Sequence, residues 1–308
     1  MNVRDAVEEY RYATSDHATK TKVMREARLE LFASWCEEHR ISLETIKPSD
    51  VVKFVETIKV KTHHYTGKPL STYTIRGYAV NVKAFLNWCA KEDLITSTLP
   101  RRIPMPRIEQ KVIEVFTDEQ IGALFKACEK EGDISLEVRD RALLSVLIDT
   151  GIRANEACGL TLNCVFLSPN EAYLKVYGKG SKWREVGLGK QARTILHRYI
   201  TRHRKAERGE KHVFLNRYGR PLTVSGIDQL LERLNGSARL QGVRVSAHTF
   251  RHSYALNYLK NGGDIYRLSR LMGHTSVQVT EGYLRAFKQK DARNGQSVLD
   301  NLGKGGTR

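Results

Sequence analysis

Cysteine is scarce and lacks any pairing pattern. The chain holds five, Cys36, Cys89, Cys128, Cys158 and Cys164, an odd number without a CxxC spacing, and several sit at apolar positions of helical patterns. That distribution argues against a disulfide framework or a zinc site and predicts reduced, buried thiols acting as small hydrophobes. Long apolar runs are also missing: no stretch of about 18 apolar residues occurs, and no charged segment followed by an apolar one opens the chain. The expectation is a cytoplasmic protein without a membrane partner. Seven prolines and 23 glycines in 308 residues are too few for a fibrous or low-complexity chain. Acidic residues are outnumbered, 34 Asp and Glu against 51 Lys and Arg, a formal charge of +17. Such an excess repels itself on folding unless a polyanion neutralises it, so nucleic acid is the partner chemistry to expect.

What is present is a folded composition, 41% hydrophobic and 28% charged, at a length that suggests two domains. Three of the prolines, Pro100, Pro104 and Pro106, fall within seven residues between helical flanks. They remove backbone donors and favour extended geometry, which predicts a linker over 100–116 between domains over 1–99 and 117–308. In the first, spacings of three and four place Met24, Ala27, Leu31, Phe32 and Trp35 on one helix face, and Ile75, Tyr78, Val82, Phe85, Leu86 and Cys89 on another. A shorter helix fits 49–58, and the basic loop 59–69 suits phosphate contacts. The second opens on a capping box, Thr117 to Gln120, and the apolar run 142–148 predicts a buried central helix. Residues 173–177 and 184–186 alternate as strands around the glycine-containing turn 178–182, a hairpin. Helical patterns return over 191–204, 224–234, 249–260, 265–271 and 277–287. The expected fold class is mainly α with a small antiparallel β-sheet.

Several residues could carry chemistry. Gly151 is placed to end the central helix, setting Arg153 at its rim with Glu156 one turn on. Lys179 stands between two glycines at the hairpin tip. His248 and Arg251, three apart at a helix start, can converge on a phosphate: the guanidinium forks, the imidazole donates and the helix end offers free amides. His274 follows a glycine helix stop, and Tyr283 lies nine residues further on. Each feature taken singly reads as ordinary surface or packing chemistry, but their order along the chain is a conjunction that chance rarely supplies.

With these motifs the sequence resembles a tyrosine recombinase of the phage integrase family, Xer-like in kind, over nearly its whole length. TGIRANEACGL, YGKGSKWREV, VFLNRYGRPLT, AHTFRHSYA and LMGHTSVQVTEGYLR resemble the family's catalytic domain. STYTIRGYAVNVKAFLNWC resembles, less specifically, its helical core-binding domain. Position by position, the resemblance makes Arg153 and Arg251 the arginine pair on the scissile phosphate, Lys179 the hairpin lysine and His248 the HxxR histidine. It makes His274 the second histidine, Tyr283 the nucleophile and Glu156 the supporting acidic residue. Ala247, Asn155, Trp183 and Gly187 depart from the family's usual residues. Lys68, Thr74, Arg76, Lys182 and Arg184 are the expected DNA contacts.

The chemistry suits those residue types. Without a metal, charge growing on the nonbridging phosphate oxygens calls for planar, permanently charged guanidiniums with directed hydrogen bonds. A phenol with a pKa of about 10 is roughly one part in a thousand ionised at neutral pH and needs a base or a strongly positive site. The resemblance implies attack by Tyr283 to give a 3′-phosphotyrosyl link, Lys179 as acid for the departing 5′-hydroxyl and His248 as the acid/base partner of the tyrosine. It implies no cofactor and no metal, a double-stranded DNA core site, four protomers on two DNA segments with a carboxyl-terminal docking tail, and a possible accessory DNA-bending or directionality factor. Integration or excision of a mobile element and chromosome or plasmid resolution all fit. Two other readings share these residues: a type IB topoisomerase, and a non-catalytic DNA-binding regulator on the same scaffold.

Overall fold

The computed structural model describes the chain outside residues 15–18, 64–66, 109–112, 130–131, 179–181, 275 and 285–308. It divides into two compact units, Met1–Lys111 and Val112–Arg308. Among the described residues no helix is long and apolar enough to cross a membrane.

The first unit is helical: α1 (Val3–Ala13), α2 (Thr19–Glu38), α3 (Pro48–Lys59) and α4 (Thr72–Lys91). Asn2 and Ser71 cap α1 and α4 through side-chain oxygens, and Pro48 opens α3, where a missing N–H costs nothing. The α4 face is as the spacing predicts, with Ile75, Val82, Phe85, Leu86 and Cys89 buried. The α2 face is so only in its second half: Phe32 and Trp35 are buried and Leu31 packs against the core, but Met24 and Ala27 are exposed and the buried stripe also takes in Arg25, Leu29, Ala33 and Cys36. Arg25 is inside because its guanidinium lies 5.2 Å from the Tyr10 ring and donates to the Thr14 carbonyl, so α1, which sequence reading did not identify, turns α2. The proline segment begins as a single 3-10 turn, Pro100–Arg102. Leu99 and Ile103 are buried in this unit's core and Met105 packs against it, so apolar side chains hold part of the expected linker to the first unit.

The second unit is mainly α with a three-stranded antiparallel sheet, the fold class expected. Its elements are α5 (Asp118–Cys128), α6 (Ile134–Thr150), α7 (Ala154–Cys158), β1 (Val165–Leu167), β2 (Ala172–Gly178), β3 (Lys182–Gly187), α8 (Lys190–Arg198), α9 (Val224–Ala238), α10 (Ala247–Lys260), α11 (Ile265–Met272) and α12 (Val277–Leu284). The strands lie in the order β1-β2-β3, with Tyr177 opposite Trp183 and Gly178 opposite Lys182. Leu174, Val176 and Val186 point into the core, following the period of two. The capping box at Thr117 forms as predicted. Helix α6 is the central one: residues 142–147 are all buried, and its buried Asp140 is held between Arg139 and Arg233. All five cysteines are free, and burial pushes the thiols of Cys36, Cys89 and Cys128 up to about 12.

Gly151 ends α6 in the left-handed region, φ +59°, and turns the chain toward Arg153. A Cβ there would lie 2.4 Å from Cδ1 of Tyr254. Gly151→Ala therefore meets both an unfavourable φ and an occupied volume. It should destabilise the second unit by about 1–3 kcal/mol, read as faster hydrogen exchange of the α6 amides.

Candidate active site

The C-terminal turn of α11 gathers the cations. Its last carbonyls have no partners within the helix and carry the negative end of the helix dipole. Arg184 Nε donates to the Leu271 carbonyl at 2.6 Å. Arg153 Nη1 and Arg251 Nη2 both donate to Met272, at 3.3 and 2.5 Å, and Arg153 Nη2 donates to Gly273 at 3.3 Å. Arg251 also donates to the Gly151 carbonyl at 2.7 Å, so the cap of α6 fixes its fork. The two arginines expected to meet are thus brought to one carbonyl oxygen. Arg251 is 4% exposed, and burial, then the charge of Arg153, pushes its pKa down to about 10.

Glu156 balances them. Its Oε1 accepts from Arg153 Nη1 at 3.0 Å and Arg184 Nη1 at 2.9 Å; its Oε2 accepts from the Arg153 amide at 2.8 Å and Arg184 Nη2 at 2.7 Å. Burial alone would raise the carboxyl pKa, but the Arg184 hydrogen bonds, the Arg153 amide and both charges outweigh it and hold the pKa low. Gly178 leaves room for this pair, since a Cβ there would stand 2.9 Å from Arg184 Nη1. Arg184, expected to touch DNA, is instead turned inward, its side chain 12% exposed. A bidentate carboxylate and a helix-end carbonyl occupy its fork; strand alternation turns the exposed Trp183 to the opposite face, while Lys182, two residues back on the same face as Arg184, is exposed.

Helix α10 carries His248, Arg251 and His252 on consecutive turns, with Phe250 buried behind them. His274 follows Gly273, whose φ of +62° stops α11, and its Nδ1 lies 2.8 Å from Thr280 Oγ1. Tyr283 is on α12. Its ring is 5% exposed among Ala255, Leu256, Leu268 and Met272, and it lies parallel to the His274 ring, centroids 6.5 Å apart. The hydroxyl lies 3.0 Å from His252 Nδ1. Burial raises the phenol pKa, while Arg251 and Arg153 pull it back. Burial, then the arginines, depresses His248 and takes His274 down to about 4.

Arg153, Glu156, His248, Arg251, His274 and Tyr283, drawn from 131 positions of sequence, are thus close enough to share hydrogen bonds or charge. Lys179 lies outside the described residues, between the paired ends Gly178 and Lys182, as do Val298, Leu299 and Leu302 of the expected tail. Of the expected DNA contacts in the first unit, Lys68 is exposed, the Thr74 amide donates to the capping Ser71 Oγ, and Arg76 donates to the Pro106 carbonyl at 2.8 Å. Sequence reading missed His252; its signal is a spacing of four from His248, which sets both on one helix face.

The model of the phage integrase family matches residues 114–290. Tyrosine recombinase XerC of Lacticaseibacillus casei (strain BL23) is 31% identical over 238 residues, 75% of this chain and 78% of its own. Tyrosine recombinase XerD of Oceanobacillus iheyensis is 28% identical over 251 residues, 80% of each. Among solved structures, the Tn1549 transposon integrase in complex with a circular intermediate DNA superposes with a TM-score of 0.76 at 18% identity, covering 98% of this chain and 99% of that one. XerH site-specific recombinase bound to palindromic difH substrate gives 0.73 at 21% identity, covering 96% and 84%. The two structural likenesses speak for the fold.

Proposed function

The chain belongs to the phage integrase family of tyrosine recombinases, enzymes of DNA strand cleavage and rejoining, and on that premise we propose how its own residues carry out site-specific recombination. Arg153 and Arg251 bind the nonbridging oxygens of the scissile phosphate and neutralise the charge that grows there, with Glu156 fixing the Arg153 fork. Tyr283 attacks phosphorus, its oxygen replacing the 5′-oxygen and leaving a 3′-phosphotyrosyl bond. Lys179 protonates the departing 5′-hydroxyl, and His248 and His274 hold the phosphate from the ends of α10 and α11. The phosphotyrosine conserves the ester, so a 5′-hydroxyl of another strand reverses the step without an energy source.

The convergence of Arg153 and Arg251 on the Met272 carbonyl, with Tyr283 in the same field of charge, carries this reading. Lys68, Thr74 and Lys182 contact duplex DNA, the formal charge of +17 supplying affinity that falls with salt. Four protomers act on two DNA segments, each recognising a short core site.

The test is covalent capture. Wild type and Tyr283→Phe are incubated with a library of nicked duplexes of random sequence, and adducts are resolved on denaturing gels. Wild type should accumulate a protein–DNA adduct and the variant none. Absence of a wild-type adduct overturns the reading, and an adduct with the variant overturns the nucleophile. Strand exchange between two captured sites then separates recombination from simple relaxation of supercoils, and sedimentation on site DNA counts the protomers.

A further inference from the structure

The nucleophile's hydroxyl has a neighbour to which no role has been given. His252 Nδ1 lies 3.0 Å from Tyr283 Oη, with the rings edge-on at 5.3 Å. The other imidazoles are placed differently: His274 Nδ1 is engaged by Thr280, and His248, one turn back on α10, packs edge-on against His252 at 4.1 Å. His252 therefore stands between His248 and the phenol.

We propose that His252 is a further catalytic residue, the base that takes the phenolic proton of Tyr283 as its oxygen attacks phosphorus. The inference rests on the reading of Tyr283 as nucleophile. In the step, the Tyr283 O–H bond breaks and its proton passes to Nδ1 of His252, whose ring proton sits on Nε2. The oxygen's electron pair forms the bond to phosphorus. The 5′-oxygen leaves with the pair of the broken P–O bond and is protonated by the general acid. Rejoining runs the step backwards, and the His252 imidazolium returns its proton to the tyrosine, so the cycle closes without a net transfer.

The surroundings suit the role. With the ring proton of His252 on Nε2, Nδ1 accepts the hydrogen bond that the Tyr283 hydroxyl donates. Burial, then His248 and Arg251, hold the His252 pKa down to about 4, which leaves it neutral with a free lone pair throughout the physiological range. The charged and titratable groups around it are His248 and Arg251 on its own helix and Tyr283 on α12, with Arg153 and His274 completing the cluster at the end of α11. A phosphate held by the arginines lowers the local positive charge and so raises the basicity of His252, coupling proton uptake to correct placement of the DNA.

The experiment is single-turnover adduct formation on a nicked duplex that wild type captures. In His252→Asn the amide oxygen takes the place of Nδ1 and still accepts a hydrogen bond, but it cannot carry a proton. The rate should fall at least about a hundredfold with DNA affinity unchanged. Incorporating 3,5-difluorotyrosine at position 283, a more acidic phenol, should recover most of that loss. Where the Asn variant folds poorly, His252→Ala with added imidazole serves instead, and its rate should rise with imidazole concentration. A wild-type rate in the Asn variant, or no gain from the acidic phenol or from imidazole, overturns the assignment while leaving Tyr283 in place. Failure of wild type itself to form an adduct strikes the recombinase reading instead.

Discussion

Arg251→Lys will slow adduct formation by about 10²–10³-fold, the usual cost of losing one directed donor to a developing oxyanion. The substitution keeps a cation on the same helix, so the loss isolates geometry. Arg251 uses one nitrogen on the Gly151 carbonyl and another on Met272, an arrangement that only a planar fork satisfies with donors left for a ligand. A lysine would reach one carbonyl or the phosphate. It would also begin from a lower pKa in a place where burial and Arg153 already bring an arginine down to about 10, and so be drawn toward its neutral form. Its residual activity should decline as pH is raised across the neutral range, where that of wild type does not. A single-turnover rate within about threefold of wild type would show that this arginine does not touch the transition state.

Arg184→Leu and Glu156→Leu should each destabilise the second unit by about 3–5 kcal/mol, because either leaves a buried charge without its bidentate partner. The double variant should cost much less than the two singles together, since the survivor's penalty disappears with it. Hydrogen exchange of the α6 amides reads this unit by itself. The pair also sets a response to acid. Glu156 has a folded-state pKa below its unfolded value, so its contribution is complete above the unfolded carboxylate range and is lost as pH falls through the folded value. Wild type should lose stability over that acidic interval, and Glu156→Leu should show a shallower slope there. Additive single-variant costs would mean that Arg184 and Glu156 merely sit near each other.

Elements whose signals are local were legible in the sequence. The Thr117 capping box, the apolar length of α6, the alternation of β2 and β3 and the cluster on α10 each rest on spacing within one segment, and all are found. The first turns of the α2 face were misassigned because Met24 and Arg25 are both compatible with the periodicity. Which one is buried depends on Tyr10 and Thr14 of a different helix, which no window on α2 contains. Arg184 was misassigned for the same reason. A basic residue in a basic hairpin reads as a DNA contact until the carboxylate 28 positions earlier is seen to fill its fork. His252 escaped because its partner is 31 residues away on another helix. Composition and local pattern establish which side chains are available; pairings between distant charges come only with packing.

The last turn of α11 has a consequence for how the chain tolerates insertions. Three successive carbonyls, of Leu271, Met272 and Gly273, each serve a different arginine or arginine pair. One residue added within 265–272 would rotate everything after it by about 100° about the helix axis and advance it about 1.5 Å, scattering those acceptors while leaving the composition almost unchanged. This short helix should therefore accept many substitutions on its exposed side and no change of length.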